Sequence, residues 1–105
     1  IEKKRIFNDT KLLVSAGVFS IVLECTEKFL AQKITSSIKI PTIGIGASAY
    51  CDGQILVTDD LLGLSNTNYR FIKKYANLKI NIDRAANLFK KDVIKKLFPK
   101  NKNSY

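Results

Sequence analysis

One glutamate, Glu24, stands where it could act as a general base. It directly follows the apolar run IVL at residues 21–23, which predicts a short buried strand over residues 19–24. A carboxylate at the point where such a strand leaves the core should be partly desolvated, and it could then take a proton from carbon and return it. The alternative is a strand-end glutamate that pairs with a lysine. The residues alone leave both interpretations open.

A glycine-rich turn follows the second apolar run. The sequence GIG at residues 44–46, with Ala49, formally matches the dinucleotide fingerprint G-x-G-x-x-A. That fingerprint also needs a helix that opens at the loop and an acidic residue about 20 positions further on. Here a turn sequence follows, and SNT at residues 65–67 occupies the place of the acid. We therefore predict that the small residues turn the chain or let its backbone approach a substrate.

Three aspartates could be taken for a metal cluster. Asp52 precedes Gly53 in a standard turn pair, and Asp60 is placed to cap a helical turn that ends at Gly63. These positions favour structural roles over metal binding. We predict no metal site among these three aspartates, Asp59 included.

The two cysteines occur without any histidine in the chain. A structural zinc site needs about four Cys or His ligands, so zinc is excluded. Cys25 and Cys51 could form a disulfide on count alone. The α/β pattern favours two reduced, semi-buried thiols instead.

The net charge of +9 is concentrated at one end of the chain. Residues 70–105 hold 11 Lys and Arg against two Asp, whereas residues 1–69 hold seven basic and seven acidic side chains. A basic segment can bind nucleic acid. Here the lysines alternate with an apolar stripe at helical spacing, which is more typical of a solvated helix face. We predict no nucleic-acid partner and keep polyanion binding through residues 70–105 as the rival hypothesis.

The periodicity of apolar residues predicts the elements that position these side chains. A chain of 105 residues forms one domain at most, here residues 1–105, with a strand-bearing part (1–69) and a basic helical part (70–105). The predicted elements are a helix over 4–15 ended by Gly17, the strand 19–24, a helix over 27–37 with Thr26 as N-cap, a strand from Pro41 to Ile45, a strand over 54–58, a helical stretch from Arg70, and an amphipathic helix over 78–97.

Strands that alternate with helices predict a parallel sheet. Three parallel strands cannot close a barrel, and a parallel sheet is normally covered on both faces. The pattern therefore indicates part of a larger α/β architecture. The chain begins with Ile1, has no methionine, and shows no signal peptide and no apolar run of membrane-spanning length, so we expect a fragment or processed chain without a membrane partner.

Several sequence blocks resemble one family, the ketopantoate hydroxymethyltransferases. The match covers nearly the whole chain, from about Phe7 to the last residues, and is most specific over residues 21–64. The blocks share order and spacing with the family; they are IVLEC (21–25), IPTIGIGA (40–47), CDGQILV (51–57), LLGL (61–64), YRFIKKYANL (69–78) and LFPKNKNSY (97–105).

The resemblance implies an α/β fold, namely the C-terminal part of a (βα)8 barrel with about three βα units and a long C-terminal amphipathic helix. It implies transfer of a hydroxymethyl group from 5,10-methylenetetrahydrofolate to 2-oxoisovalerate, with Mg²⁺, to give ketopantoate in pantothenate biosynthesis. Glu24 matches the family's proton acceptor. A cytoplasmic homo-oligomer is also implied.

Three residues depart from the family pattern, and none is the proposed base. Ser48 replaces a glycine, Asp59 a histidine and Asn103 the closing histidine. The family's magnesium-binding carboxylates and its substrate-binding serine and lysine lie on the first half of the barrel. The resemblance therefore places no metal ligand in this chain, and we expect the chain alone to be inactive and to need an N-terminal half-barrel.

Overall fold

The computed structural model describes residues 2–105 of the protein. Helices and short strands alternate over the first 62 residues, and a longer helix follows. The elements are α1 (Glu2–Ser15), β1 (Ile21–Glu24), α2 (Lys28–Ser37), β2 (Thr42–Ile45), β3 (Gly53–Gln54), α3 (Thr58–Leu62), α4 (Leu78–Ile94) and a 3-10 turn (Asn101–Asn103).

The chain forms two compact units. The first unit runs to Val57 and also includes Asn68–Ile72, so it contains α1, α2 and all three strands. The second unit consists of Thr58–Thr67 and Lys73–Tyr105, with α3 and α4. The single domain over residues 1–105 stays a prediction.

The three strands form one parallel sheet in the order β1-β2-β3, as the alternation of strands and helices predicts. Ile21 pairs with Thr42 and Glu24 with Ile45, so β1 and β2 end level with each other. Level carboxyl ends bring the residues that follow the two strands to the same edge of the sheet.

One face of β1 packs on helices and the other does not. Ile21 and Leu23 are buried in a core with Leu30, Ala31 and Ile34 of α2. Side chains alternate between the two faces of a strand. Val22, 54% exposed, and Glu24, also exposed, therefore share the opposite face. This chain covers the helix-facing side of β1 and leaves the other side open.

The third strand is shorter than the sequence predicts, with two residues instead of the five over 54–58. The Ile55 N–H still donates to the Gly44 carbonyl. Gly46 then has a φ of +62°, which ends β2. Residues after Ile55 thus have no neighbouring strand to pair with, and Thr58 begins a helix instead.

The predicted helix from Arg70 is also wrong, because residues 70–77 form only a turn and irregular backbone. The N–H groups of Tyr75 and Ala76 donate to the carbonyl of Leu61 in the same unit. Because both N–H groups are hydrogen-bonded to Leu61, they are not available to a local helix, and α4 begins only at Leu78. It ends at Ile94, three residues before the predicted end at residue 97.

The second unit presents an amphipathic helix without a buried face. Within the described chain α4 has no buried residue, and Phe89 and Ile94 are among its exposed apolar side chains. No helix in residues 2–105 is long and apolar enough to cross a membrane.

Asp60 is predicted to cap α3 but lies inside that helix. Its carboxylate accepts a 2.7 Å hydrogen bond from Thr67 Oγ1, which fixes the loop after α3.

The N-cap of α2 is Glu27 and not the predicted Thr26. The Glu27 carboxylate accepts from the N–H groups of Phe29 (3.3 Å) and Leu30 (3.0 Å). Thr26 Oγ1 instead donates to the Glu24 carbonyl at 3.4 Å. Lys3 of α1 lies 3.1 Å from the same Glu27 carboxylate, so one side chain both caps α2 and joins it to α1.

Glu27 should make the junction between α1 and α2 sensitive to acid. The hydrogen bond from Lys3 lowers the pKa of the Glu27 carboxyl below its ordinary value, and the Leu30 N–H adds to this effect. A lowered folded-state pKa means that the contribution to stability is complete above the ordinary glutamate pKa and disappears as pH falls through the lowered value. We expect an NMR titration of the Glu27 carboxyl carbon to show this lowered pKa, and Lys3→Gln to move it back upward. An unchanged titration in Lys3→Gln would contradict the assignment.

Candidate functional site

A cavity of about 810 Å³ opens at the carboxyl ends of β1 and β2. Its wall is built by the residues that directly follow each strand, Cys25 after β1 and Gly46 after β2, and by Arg70 and Phe71 from further along the chain. All of these residues belong to the first compact unit. The carboxyl edge of a parallel sheet is where α/β proteins bind their ligands.

Glu24 is the last residue of β1 and immediately precedes this cavity wall. The predicted partial desolvation is wrong for this chain, because Glu24 is exposed. The cause is the open face that it shares with Val22. The described ion pairs, Lys3–Glu27, Arg5–Asp9 and Lys79–Asp83, do not include Glu24. Within residues 2–105 its carboxylate therefore has no lysine partner.

The residue after Glu24 has an unusual backbone. Cys25 has a φ of +48°, a left-handed conformation that non-glycine residues adopt infrequently. Its N–H still donates to the Ile45 carbonyl at 2.9 Å, so the two strand ends stay hydrogen-bonded as the chain turns toward α2. Both cysteines are free thiols, as predicted on the α/β pattern; Cys51 is buried, whereas Cys25 is exposed rather than semi-buried.

Gly46 allows a distant segment to reach the cavity. A Cβ built on Gly46 would lie 2.7 Å from Cβ and Cγ of Phe71, closer than real carbon atoms approach. The small residues at 44–46 thus turn the chain, as predicted, and also let Phe71 lie against the backbone just after β2. Arg70 enters the cavity wall on the same segment.

Gly46→Ala is expected to lower the free energy of unfolding by more than the matched change Gly17→Ala. Both glycines have positive φ, at +62° and +85°, so both alanines carry a backbone penalty of roughly 1–2 kcal/mol. Only Gly46 has Phe71 in the way, since nothing lies within 4 Å of a Cβ at Gly17. Urea unfolding, followed by circular dichroism, measures the free energy of unfolding of each variant. Equal losses would show that the contact with Phe71 is not tight.

Polar contacts fix the loop between β2 and β3. The Asp52 carboxylate accepts from the Thr42 N–H (2.8 Å) and from Thr42 Oγ1 (3.1 Å), which joins this loop to the start of β2. Gln54 Nε2 donates to the Ser48 carbonyl at 2.7 Å. The structural role predicted for Asp52 is confirmed, and the cavity wall at Ser48 is held by hydrogen bonds.

The described residues form no metal centre. Nowhere between residues 2 and 105 do three or more His, Cys, Asp or Glu side chains come together around a common point. Asp52 and Asp60 are committed to Thr42 and Thr67 respectively. A magnesium ion therefore does not fit the carboxylates of this chain.

The charges at the cavity are mainly positive. Lys28 and Arg70 line it together with one carboxylate, Glu27, which is already paired with Lys3. None of the ion pairs in residues 2–105 involves Lys28 or Arg70. The wall next to Glu24 thus carries more positive than negative charge.

Arg70 and Phe71 are the cavity residues that sequence reasoning missed. The sequence pattern predicts a helical stretch from Arg70, which would carry these residues away from the sheet edge. The sequence signal that points to them is Gly46 itself, because a glycine at the end of a strand often allows another segment to approach the backbone closely.

Comparison with known proteins gives one consistent result. The family model described as ketopantoate hydroxymethyltransferase matches residues 1–101. The chain is 60% identical over 104 residues to the 3-methyl-2-oxobutanoate hydroxymethyltransferase of Pelagibacter ubique, with 99% of this chain and 40% of the relative covered.

More distant relatives carry the same name. The protein of Sulfolobus acidocaldarius is 46% identical, with 97% of this chain and 38% of the relative covered. That of Caulobacter vibrioides (strain NA1000 / CB15N) is 45% identical, with 92% of this chain and 35% of the relative covered. The chain thus spans about two-fifths of the length of the curated relatives it matches.

Proposed function

The chain belongs to the ketopantoate hydroxymethyltransferase family, and from that premise we propose that it supplies the general base of a hydroxymethyl transfer to 2-oxoisovalerate. The base is Glu24. The donor is 5,10-methylenetetrahydrofolate, and the product is ketopantoate, a step of pantothenate biosynthesis in the cytoplasm.

The observation that carries the proposal is the position of Glu24. It ends a parallel strand, lies on the face of β1 that no helix covers, and directly precedes the wall of the cavity. In a (βα)8 barrel, helices cover the outer face of each strand, and catalytic groups lie at the carboxyl ends. The open face of β1 would then be the barrel interior. Its exposure in this chain follows from the absence of the other strands within residues 2–105.

The proposed step breaks one bond and forms one at the same carbon. Glu24 takes the proton from the carbon next to the ketone of 2-oxoisovalerate, and the electron pair of that C–H bond passes into an enolate. Water releases the one-carbon unit of the donor as formaldehyde, which breaks both of its C–N bonds and leaves tetrahydrofolate. The enolate carbon then forms a bond to the formaldehyde carbon, and the C=O electron pair moves to the oxygen, which takes up a proton to become the new hydroxyl group. A carboxylate suits this role when it can both accept and return the proton.

The remaining components lie outside this chain in the proposal. The residues described here do not fit a magnesium ion, so the metal that the family implies would be bound by the rest of the barrel. When bound, a metal of this kind polarises a carbonyl group. The contribution of this chain is the base and one wall of the cavity.

A grafted barrel tests the proposal. In this graft the 105-residue chain replaces the matching 40% of the Pelagibacter ubique relative. We expect the graft, with Mg²⁺, 2-oxoisovalerate and methylenetetrahydrofolate, to form ketopantoate at a rate comparable to the unmodified relative. The relative without its matching segment serves as the negative control. A folded graft that makes no product would contradict the proposal.

The rival hypothesis, a polyanion-binding module at residues 70–105, makes a different prediction. Binding through phosphate contacts weakens steeply with salt. A salt titration of the chain with duplex DNA would reveal such a slope. We expect no salt-dependent complex at physiological ionic strength.

A further inference from the structure

We propose that the cavity at the carboxyl edge of the sheet binds the aminobenzoylglutamate part of the folate donor, with Arg70 on its carboxylates and Phe71 against its aromatic ring. This inference rests on the proposed function and adds a binding site for the donor. It concerns residues 68–72, which are separated in sequence from the strands that they approach.

The cavity has room for part of the folate donor. About 810 Å³ lies within the range of roughly 300–1,000 Å³ that is typical of pockets for drug-sized ligands. The folate donor combines a pterin, an aromatic ring and a glutamate tail, so it can extend from the reacting carbon beside Glu24 along the cavity wall.

The chemistry of the wall matches that tail. Arg70 is exposed and has no carboxylate partner within residues 2–105, and a guanidinium binds carboxylates with two parallel hydrogen bonds. Lys28 adds a second positive charge, and its ammonium lies 5.8 Å from the ring centre of Phe29. The one acid of the wall, Glu27, is neutralised by Lys3. An anionic tail therefore meets an excess of positive charge.

The aromatic part of the wall is held in place. Phe71 lies against Gly46, and its ring is parallel to that of Tyr69, with interplanar angle 1° and ring centres 5.9 Å apart. These contacts hold the Phe71 ring in place, and its edge can pair with the aromatic ring of a ligand in a T-shaped arrangement. Arg70 lies between these two aromatic residues in the sequence, so charge and ring are presented from one short segment.

The test is a calorimetric titration of the 105-residue chain with tetrahydrofolate, in the absence of keto acid and without turnover. We expect Arg70→Gln to weaken binding by about tenfold or more, because a charge-assisted contact is lost. Arg70→Lys should lose less, since the charge remains. The matched control Arg84→Gln, an exposed arginine of α4, should bind as the unmodified chain does.

Two further ligands decide what Arg70 contacts. With the tail-less pterin 6-methyltetrahydropterin we expect no difference between the unmodified chain and Arg70→Gln. The same holds for 2-oxoisovalerate, whose ligands lie outside this chain in the proposal. The proposal is overturned if the unmodified chain does not bind tetrahydrofolate, if Arg70→Gln leaves its affinity unchanged, or if the loss is equal for the tail-less pterin or appears with the keto acid. Because no product is formed, these outcomes are independent of whether the grafted barrel is active.

Discussion

The 105-residue chain by itself, supplied with Mg²⁺, 2-oxoisovalerate and methylenetetrahydrofolate, is expected to form no ketopantoate above the rate without protein. Residues 2–105 assemble no group of three metal-ligating side chains. Glu24 is exposed, and Val22 on the same face is 54% exposed. A base in open water, with no metal to polarise the ketone, has little advantage over solvent.

The assay should compare the chain with the grafted barrel at equal concentrations, and ketopantoate should be detected directly. The graft controls for the quality of the substrates and for the sensitivity of detection. Measurable turnover by the chain alone would show that it completes the site by itself, for instance by self-assembly, and would refute the half-barrel account.

The first half of the fold follows closely from local sequence patterns. The apolar run before Glu24 and the run after Pro41 become paired parallel strands, and the amphipathic segment between them becomes α2. Gly17 adopts the expected positive φ after α1. These elements were predictable because apolar periodicity agrees with a local signal in the sequence, such as Gly17 after α1 and Pro41 before β2.

The errors occur where a distant contact overrides a local pattern. β3 ends early because Gly46 turns β2 away, and the stretch after Arg70 stays irregular because Leu61 takes its N–H groups. Thr26 was a plausible cap by residue type, but the longer carboxylate of Glu27 reaches both Lys3 and the helix N–H groups. Such choices depend on tertiary contacts that no local window contains.

The candidate site was only partly predictable, because part of it also depends on tertiary contacts. The place of Glu24 at a strand end follows from the run that precedes it, and its proposed role rests on the family resemblance. Its exposure did not follow, because burial depends on which elements cover each face of β1. Arg70 and Phe71 could not be placed without the close approach to Gly46 that the structure reveals.

Replacing Glu24 by glutamine in the grafted barrel is expected to lower the rate of ketopantoate formation by about 10²–10⁴-fold, the typical cost of losing a general base. Glutamine keeps the size and much of the hydrogen bonding of glutamate but cannot accept the proton. Magnesium and keto-acid binding should change little, because their ligands lie elsewhere in the proposed barrel. Glu2→Gln, an exposed neutralisation on α1, is the matched control and should retain full activity.

The most direct measurement of the role of Glu24 is hydrogen–deuterium exchange at the carbon next to the ketone of 2-oxoisovalerate, followed by NMR in D₂O without any folate. This experiment isolates proton abstraction from the later bond formation. We predict that the grafted barrel catalyses the exchange and that Glu24→Gln reduces it by about 10²–10⁴-fold, while 2-oxoisovalerate binds with similar affinity. Equal exchange rates in the two proteins would contradict the account and remove Glu24 from the mechanism.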